Sequence, residues 1–159
     1  MNGGTRWVAW AAYAAAAWAL IFAAPHFWWA LGVSWAFPGD AEVFERAFDR
    51  TWWLVYDLVV GLLCLVGAGV VLALVQPWGR ALPTRFARLV RPAAWSGSVL
   101  LLLRGALGVA SMLWSLLSGA SDEFHPWSYV IEPWFLVGGI LFGLAACFSR
   151  RGPYADAPV

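Results

Sequence analysis

Four side chains in this sequence carry chemistry at odds with their surroundings. His26 closes an alanine-rich apolar run, Asp57 and Arg104 lie inside two further apolar runs, and Glu132 opens a fourth. Ionisable groups at membrane depth are rare because each costs about 2.5–3.5 kcal/mol on insertion scales, so they face one another or a polar space rather than lipid. A histidine beside a carboxylate can carry a proton or hold a ligand, and an arginine beside a carboxylate can bind a headgroup or lock two helices together. His26, Asp57, Glu132 and His125 together would be numerous enough for a metal, but they lack diagnostic spacing, and no metal or other cofactor is expected. Cys64 and Cys147 lie far apart in apolar runs, without the CxxC spacing of a redox pair, and read as buried small hydrophobes. The sequence contains no nucleophile motif or phosphate loop, which leans against an enzyme without deciding the matter.

The elements that must position these residues are set by composition. A chain of 159 residues that is 62% hydrophobic and 12% charged, with a mean hydropathy of +0.71, cannot cover itself with a water-compatible surface. Crossing a bilayer core of roughly 30 Å takes about 20 helical residues. Four apolar runs are long enough, at about 7–31, 52–75, 93–117 and 129–148, separated by Pro, Gly and charged residues. The first is read as uncleaved, because Phe22-Ala23-Ala24 is followed by Pro25 and then by bulky His26-Phe27-Trp28-Trp29. The expected architecture is all-α: an integral membrane four-helix bundle forming one domain over 1–159.

Orientation follows from arginine. All ten cationic residues are Arg, and seven of them (Arg6, Arg80, Arg85, Arg88, Arg91, Arg150 and Arg151) flank the apolar runs on one side. The positive-inside rule puts that side, with both termini, in the cytoplasm. The abundance of Ala, Gly and Arg suggests a GC-rich bacterial genome, and hence the bacterial cytoplasmic (inner) membrane. The opposite, external side carries Asp40, Glu42, Glu45 and Asp49 in one loop and Asp122 with Glu123 in the other. Between Asp40, a candidate N-cap, and Thr51, the residues Val43, Phe44, Ala47 and Phe48 recur at helical spacing. They form either a short interfacial helix or an extension of the second span. The tail after Gly152 is expected to be disordered. A net charge of +1 argues against nucleic acid as a partner, since neutralising phosphates takes a concentrated basic excess.

Lipid gives helices no hydrophobic reason to associate, so stripes of small residues mark the inward faces. They are Ala12, Ala15, Ala19, Phe22 and His26; Asp57, Gly61, Cys64 and Ala68; Gly97, Leu101, Arg104, Gly108, Ser111, Ser115 and Ser118; and Glu132, Leu136, Gly139, Gly143 and Ala146. Each stripe carries one ionisable residue. His26, Asp57 and Glu132 lie near the external surface, and Arg104 lies on the order of 10 Å deeper than Asp57. An outward-reaching guanidinium closes most of that distance, so Arg104 is expected to be compensated by Asp57. Glu132, ahead of Pro133 where a helix begins, also suits the positive end of a helix dipole. Of the thirteen Trp, Trp28, Trp29, Trp35, Trp52, Trp53, Trp127 and Trp134 crowd the external boundary and Trp7, Trp10, Trp78 and Trp95 the cytoplasmic one, as aromatic belts do. Outer Trp faces beside Asp57 and Glu132 would favour a cationic or amphiphilic ligand.

Three segments carry a resemblance: Pro25-His26-Phe27-Trp28-Trp29-Ala30-Leu31-Gly32, Gln76-Pro77-Trp78-Gly79-Arg80, and Glu132-Pro133-Trp134-Phe135-Leu136-Val137-Gly138-Gly139-Ile140-Leu141-Phe142-Gly143. In these the chain resembles a family of small four-helix bacterial membrane proteins known only as a domain of unknown function. The resemblance runs over nearly the whole chain, with Val33 where the family commonly has a second Gly. It implies a four-helix membrane protein and supplies no activity and no catalytic residues.

Three functions compete. The preferred one is binding of a small lipophilic or amphiphilic molecule in an outward-facing polar pocket bounded by His26, Asp57, Arg104 and Glu132. The second is a structural or accessory role, with the buried charges fixing helix packing and other membrane proteins as partners. The third, proton or ion transfer, needs a polar path through the cytoplasmic half, where the stripes offer only Ala12, Ala15, Ala68, Gly97, Gly143 and Ala146.

Overall fold

The computed structural model describes residues 3–35, 37, 41–49, 51–119 and 127–149. They form α1 (Gly3–Ala30), α2 (Ala41–Phe48), α3 (Thr51–Ala73), α4 (Pro77–Arg80), α5 (Thr84–Ser118) and α6 (Ser128–Phe148), with no strand among the described residues. Four of them, α1, α3, α5 and α6, are long and apolar enough to cross a membrane. Their outward surfaces agree with that: Leu62, Leu63, Val66, Leu100 and Leu107 are all more than half exposed. Asp40, Arg50, Arg150, Arg151, the 122–125 segment with His125, and the tail after Gly152 lie outside the described residues.

The three resemblance segments have physical explanations in the backbone. α1 ends where Gly32 takes φ 81. There Gly32 N–H donates to Trp29 O at 3.0 Å and Val33 N–H to Trp28 O at 2.9 Å, the paired bonds of a Schellman cap. After α3, Pro77 opens the single turn of α4, and Gly79 sits so close to the Ala73 carbonyl that no side chain fits there. In the third segment, Gly138 lies against the Trp18 indole while Gly139 and Gly143 lie against Leu102 and Ser98 of α5. The Gly139–Gly143 pair thus packs helices within the bundle.

The four long helices close into a ring in the order α3, α1, α6, α5. α1 packs along both α3 and α6, and α6 along α5, whereas α3 and α5 share only a short stretch of contact. α3 and α5 approach each other around Phe142 of α6, whose ring lies beneath both Gly67 and Gly97. α1 therefore needs two small-residue faces: Ala11, Ala12, Ala15, Ala16, Ala19 and Ala23 are all buried, with Trp18 between them. Trp18 Nε1 donates to Trp134 O at 2.9 Å, tying α1 to α6.

Three expectations are corrected. The Arg-rich segment left between the apolar runs 52–75 and 93–117 is helical from Thr84 onward, and the 35-residue α5 spans about 52 Å at 1.5 Å per residue. Pro92 removes only one helical hydrogen bond, and Arg91 Nε anchors that turn on Ala146 O at 3.0 Å. The buried stripe of α5 runs through Ala94, Ser98, Gly105, Gly108 and Ser115. Gly97 and Leu101 sit at its margin, Arg104 and Ser111 outside it. Trp134 is half-buried with its ring stacked on Trp18 at 5.9 Å, inside the bundle instead of in a boundary belt. α2 is a helix separate from α3, held through buried Phe44, whose ring meets Phe37 at 5.0 Å, while Glu42, Glu45 and Arg46 are exposed.

Candidate functional site

His26 and Asp57 occupy the last two turns of α1 and the first two of α3, two helices that pack extensively along each other. His26 Nδ1 lies 2.9 Å from Asp57 Oδ1, and both residues are buried. The approach is allowed by Gly61, one turn further along α3, against which the Phe27 ring rests. Such a carboxylate fixes the orientation of an imidazole and favours a proton on the bonded nitrogen, leaving Nε2 as the other functional atom. Nε2 has no hydrogen-bond partner among the described residues.

Arg104 and Glu132 form the second pair. Nη1 donates to Oε2 and Nη2 to Oε1, the latter at 2.9 Å, in the two-pronged geometry specific to guanidinium and carboxylate. Gly108, one turn along α5 from Arg104, leaves the room that the Glu132 carboxylate fills. The Glu132 side chain is 11% exposed and that of Arg104 50%.

The expected Arg104–Asp57 compensation is therefore replaced by Arg104–Glu132. The reason is adjacency: α5 packs along α6 far more extensively than against α3, so the carboxylate on α6 is the one that meets it. Glu132 also does not sit at a helix start, because α6 begins at Ser128 and continues through Pro133. Its charge is balanced by the guanidinium instead of by the helix terminus.

The four predicted site residues are thus brought to one end as two pairs, joined by aromatic rings. Phe22 meets His26 at 5.0 Å and Phe135 at 5.2 Å, and the Arg104 Cζ lies 4.8 Å above the Phe135 ring. Over His26 sit Trp29 at 5.0 Å and Tyr56 at 6.2 Å, with Trp53 stacked on Tyr56 at 5.5 Å. Tyr56 itself is about half exposed. Sequence reasoning passed over Tyr56. Its signal was a polar-tipped aromatic next to Asp57, flanked by Leu54, Val55, Leu58 and Val59.

No group of three or more metal-ligating side chains gathers among the described residues, and Glu132 stands with Arg104 apart from His26 and Asp57. A shallow apolar hollow on α5, lined by Trp95, Ser96, Val99 and Leu100, lies nearer the Arg85 end and contains neither ion pair.

Fold and site together define an all-α protein with four potential membrane-crossing helices and two acid–base side-chain pairs gathered toward one end of the bundle. The chain belongs to the DUF3995 family, described as proteins of unknown function, whose family model matches residues 19–142 and so takes in His26, Asp57, Arg104 and Glu132. No curated protein and no solved structure matches the sequence.

Proposed function

We propose that this is a multi-pass protein of the bacterial inner membrane, with both termini and the Arg85 end cytoplasmic, which binds a small lipophilic or amphiphilic molecule between α3 and α5 at its external end. The observation that carries the reading is Arg104. It is held by Glu132, yet its side chain remains half exposed, outside the buried face of α5. Bare guanidinium surface facing hydrocarbon is unfavourable, and a polar headgroup on an apolar tail would cover it. The accessory role is favoured by a different observation: each acid is buried against a basic side chain on a neighbouring helix, as ties that only fix packing would be. Proton or ion transfer has less support, since the described buried residues toward the Arg85 end are mostly apolar, with Ser98 and Ser149 the polar exceptions and no buried acid among them.

Crosslinking separates the first two readings. The purified protein in nanodiscs is irradiated with an alkyl-diazirine amphiphile, and the adducts are mapped by mass spectrometry. Saturable labelling of α3 and α5 around Tyr56 and Arg104, displaced by excess unlabelled amphiphile, is expected. Labelling spread evenly over all apolar faces, without saturation, would leave only the accessory role.

A further inference from the structure

The end of the bundle opposite the two acid–base pairs carries positive charge that no described residue balances. Arg80, Arg85 and Arg88 are exposed there, and none of them makes a hydrogen bond or ion pair with another described residue. Every described carboxylate stands elsewhere: on α2 or just after it, in the first two turns of α3, or in the first two of α6. Below the arginines on α5 lies the hollow lined by Trp95, Ser96, Val99 and Leu100. At 100° per residue these four fall with Arg85 and Arg88 in one arc of roughly 140°, facing away from the buried stripe through Ala94, Ser98 and Gly105. The axial step from Arg88 to Trp95 and Ser96 is roughly 10–12 Å. Helical side chains lean toward the N-terminus, so the two guanidinium groups lean toward the Thr84 end and away from the hollow. A bilayer has a polar layer of roughly 5–7 Å on each side of its hydrocarbon, so cations and hollow are spaced to lie on either side of that boundary.

From the unbalanced arginines and the hollow aligned beneath them we infer that this side of α5 is a docking surface for an anionic phospholipid of the surrounding bilayer. The phosphate lies against Arg85 and Arg88 and one acyl chain lies in the hollow. Guanidinium groups hold phosphate oxygens in forked pairs of hydrogen bonds and keep their charge at any physiological pH. The Arg85 guanidinium is already set 4.8 Å above the exposed Phe86 ring. A zwitterionic lipid brings its own ammonium, which an unbalanced cluster of cations disfavours. An acidic protein partner would use the arginines and leave the hollow empty. The surface lies at the other end of the bundle from Arg104, so it stands independently of the amphiphile site proposed there.

The test titrates dioleoyl phosphatidylglycerol, dioleoyl phosphatidylcholine and tail-less glycerol phosphate into the detergent-solubilised full chain at low salt. Thermal unfolding is the readout, because a ligand of the folded state raises its melting temperature. Phosphatidylglycerol alone is expected to stabilise the wild type saturably. Arg85→Gln with Arg88→Gln should weaken its binding about thirtyfold and leave the melting temperature without lipid unchanged, both side chains being exposed. Val99→Trp, at a half-exposed position, fills the hollow and should weaken binding about fourfold or more with the arginines intact. Equal stabilisation by phosphatidylcholine or by glycerol phosphate would overturn the inference, as would a phosphatidylglycerol response that the arginine pair does not change. A response lost in Arg104→Met and kept in the arginine double variant would place the lipid at the other end, overturning this inference and supporting the amphiphile reading. An unaltered response in Val99→Trp would overturn it too, whether or not the arginine variant folds.

Discussion

His26 Nδ1 and Asp57 Oδ1 lie 2.9 Å apart with the histidine 5% and the aspartate 1% exposed, so α1 and α3 are joined at their shared end by a polar contact that solvent does not reach. Neither group can be altered without leaving the other unpartnered in an apolar surround.

His26→Phe should lower stability in detergent by about 3–5 kcal/mol, the usual cost of stranding one member of a buried ionic pair. Adding Asp57→Leu to the same chain should recover part of the loss, because replacing both members by apolar groups removes the stranded charge. Thermal unfolding of the two single variants and the double variant measures this. Strictly additive losses would show that the two side chains do not interact.

Arg104 should couple to Glu132 and not to Asp57. Arg104→Met should be destabilising, Glu132→Gln in the same chain should restore part of the stability, and Asp57→Asn should not. A double-mutant cycle is expected to give a coupling of about 0.5–3 kcal/mol for the first pair and close to zero for the second. The reverse outcome would mean that α3 and α5 lie closer together in the membrane than described here.

Glycine-to-alanine substitutions distinguish the faces. At Gly138 a Cβ would overlap the Trp18 indole, and at Gly108 the Glu132 carboxylate, so both should destabilise by about 1–3 kcal/mol. Nothing lies within 4 Å of a Cβ at Gly69, and there the better helix propensity of alanine should leave stability unchanged or raise it by up to about 1 kcal/mol. Melting temperatures of the three variants side by side check the ring order of the helices.

For topology, Glu45→Cys on α2 and Arg85→Cys on α5 are introduced into a chain lacking Cys64 and Cys147, both side chains being exposed. An impermeant thiol reagent on intact cells should label position 45 and spare position 85. Labelling at 85 alone would invert the orientation proposed from the arginines.

The sequence by itself determined the helices and where the polar groups stand along them. Apolar length defines α1, α3, α5 and α6. Small-residue periodicity places His26, Asp57 and Glu132 on inward faces near one end, because both properties are local and follow from the 3.6-residue turn. Pairing was not legible, since a carboxylate's partner depends on which helices are neighbours around the ring. Asp57 and Glu132 are interchangeable partners for Arg104 until α6, and not α3, is found beside α5. The face of α5 was displaced for a related reason. Successive helical residues are about 100° apart, so reading the stripe through Gly97, Leu101 and Arg104 instead of Ala94, Ser98 and Gly105 turned the guanidinium into the core. Only the tertiary structure put it outside that face, half exposed, because only the packing of α5 against Gly139 and Gly143 of α6 fixes how α5 is rotated about its own axis.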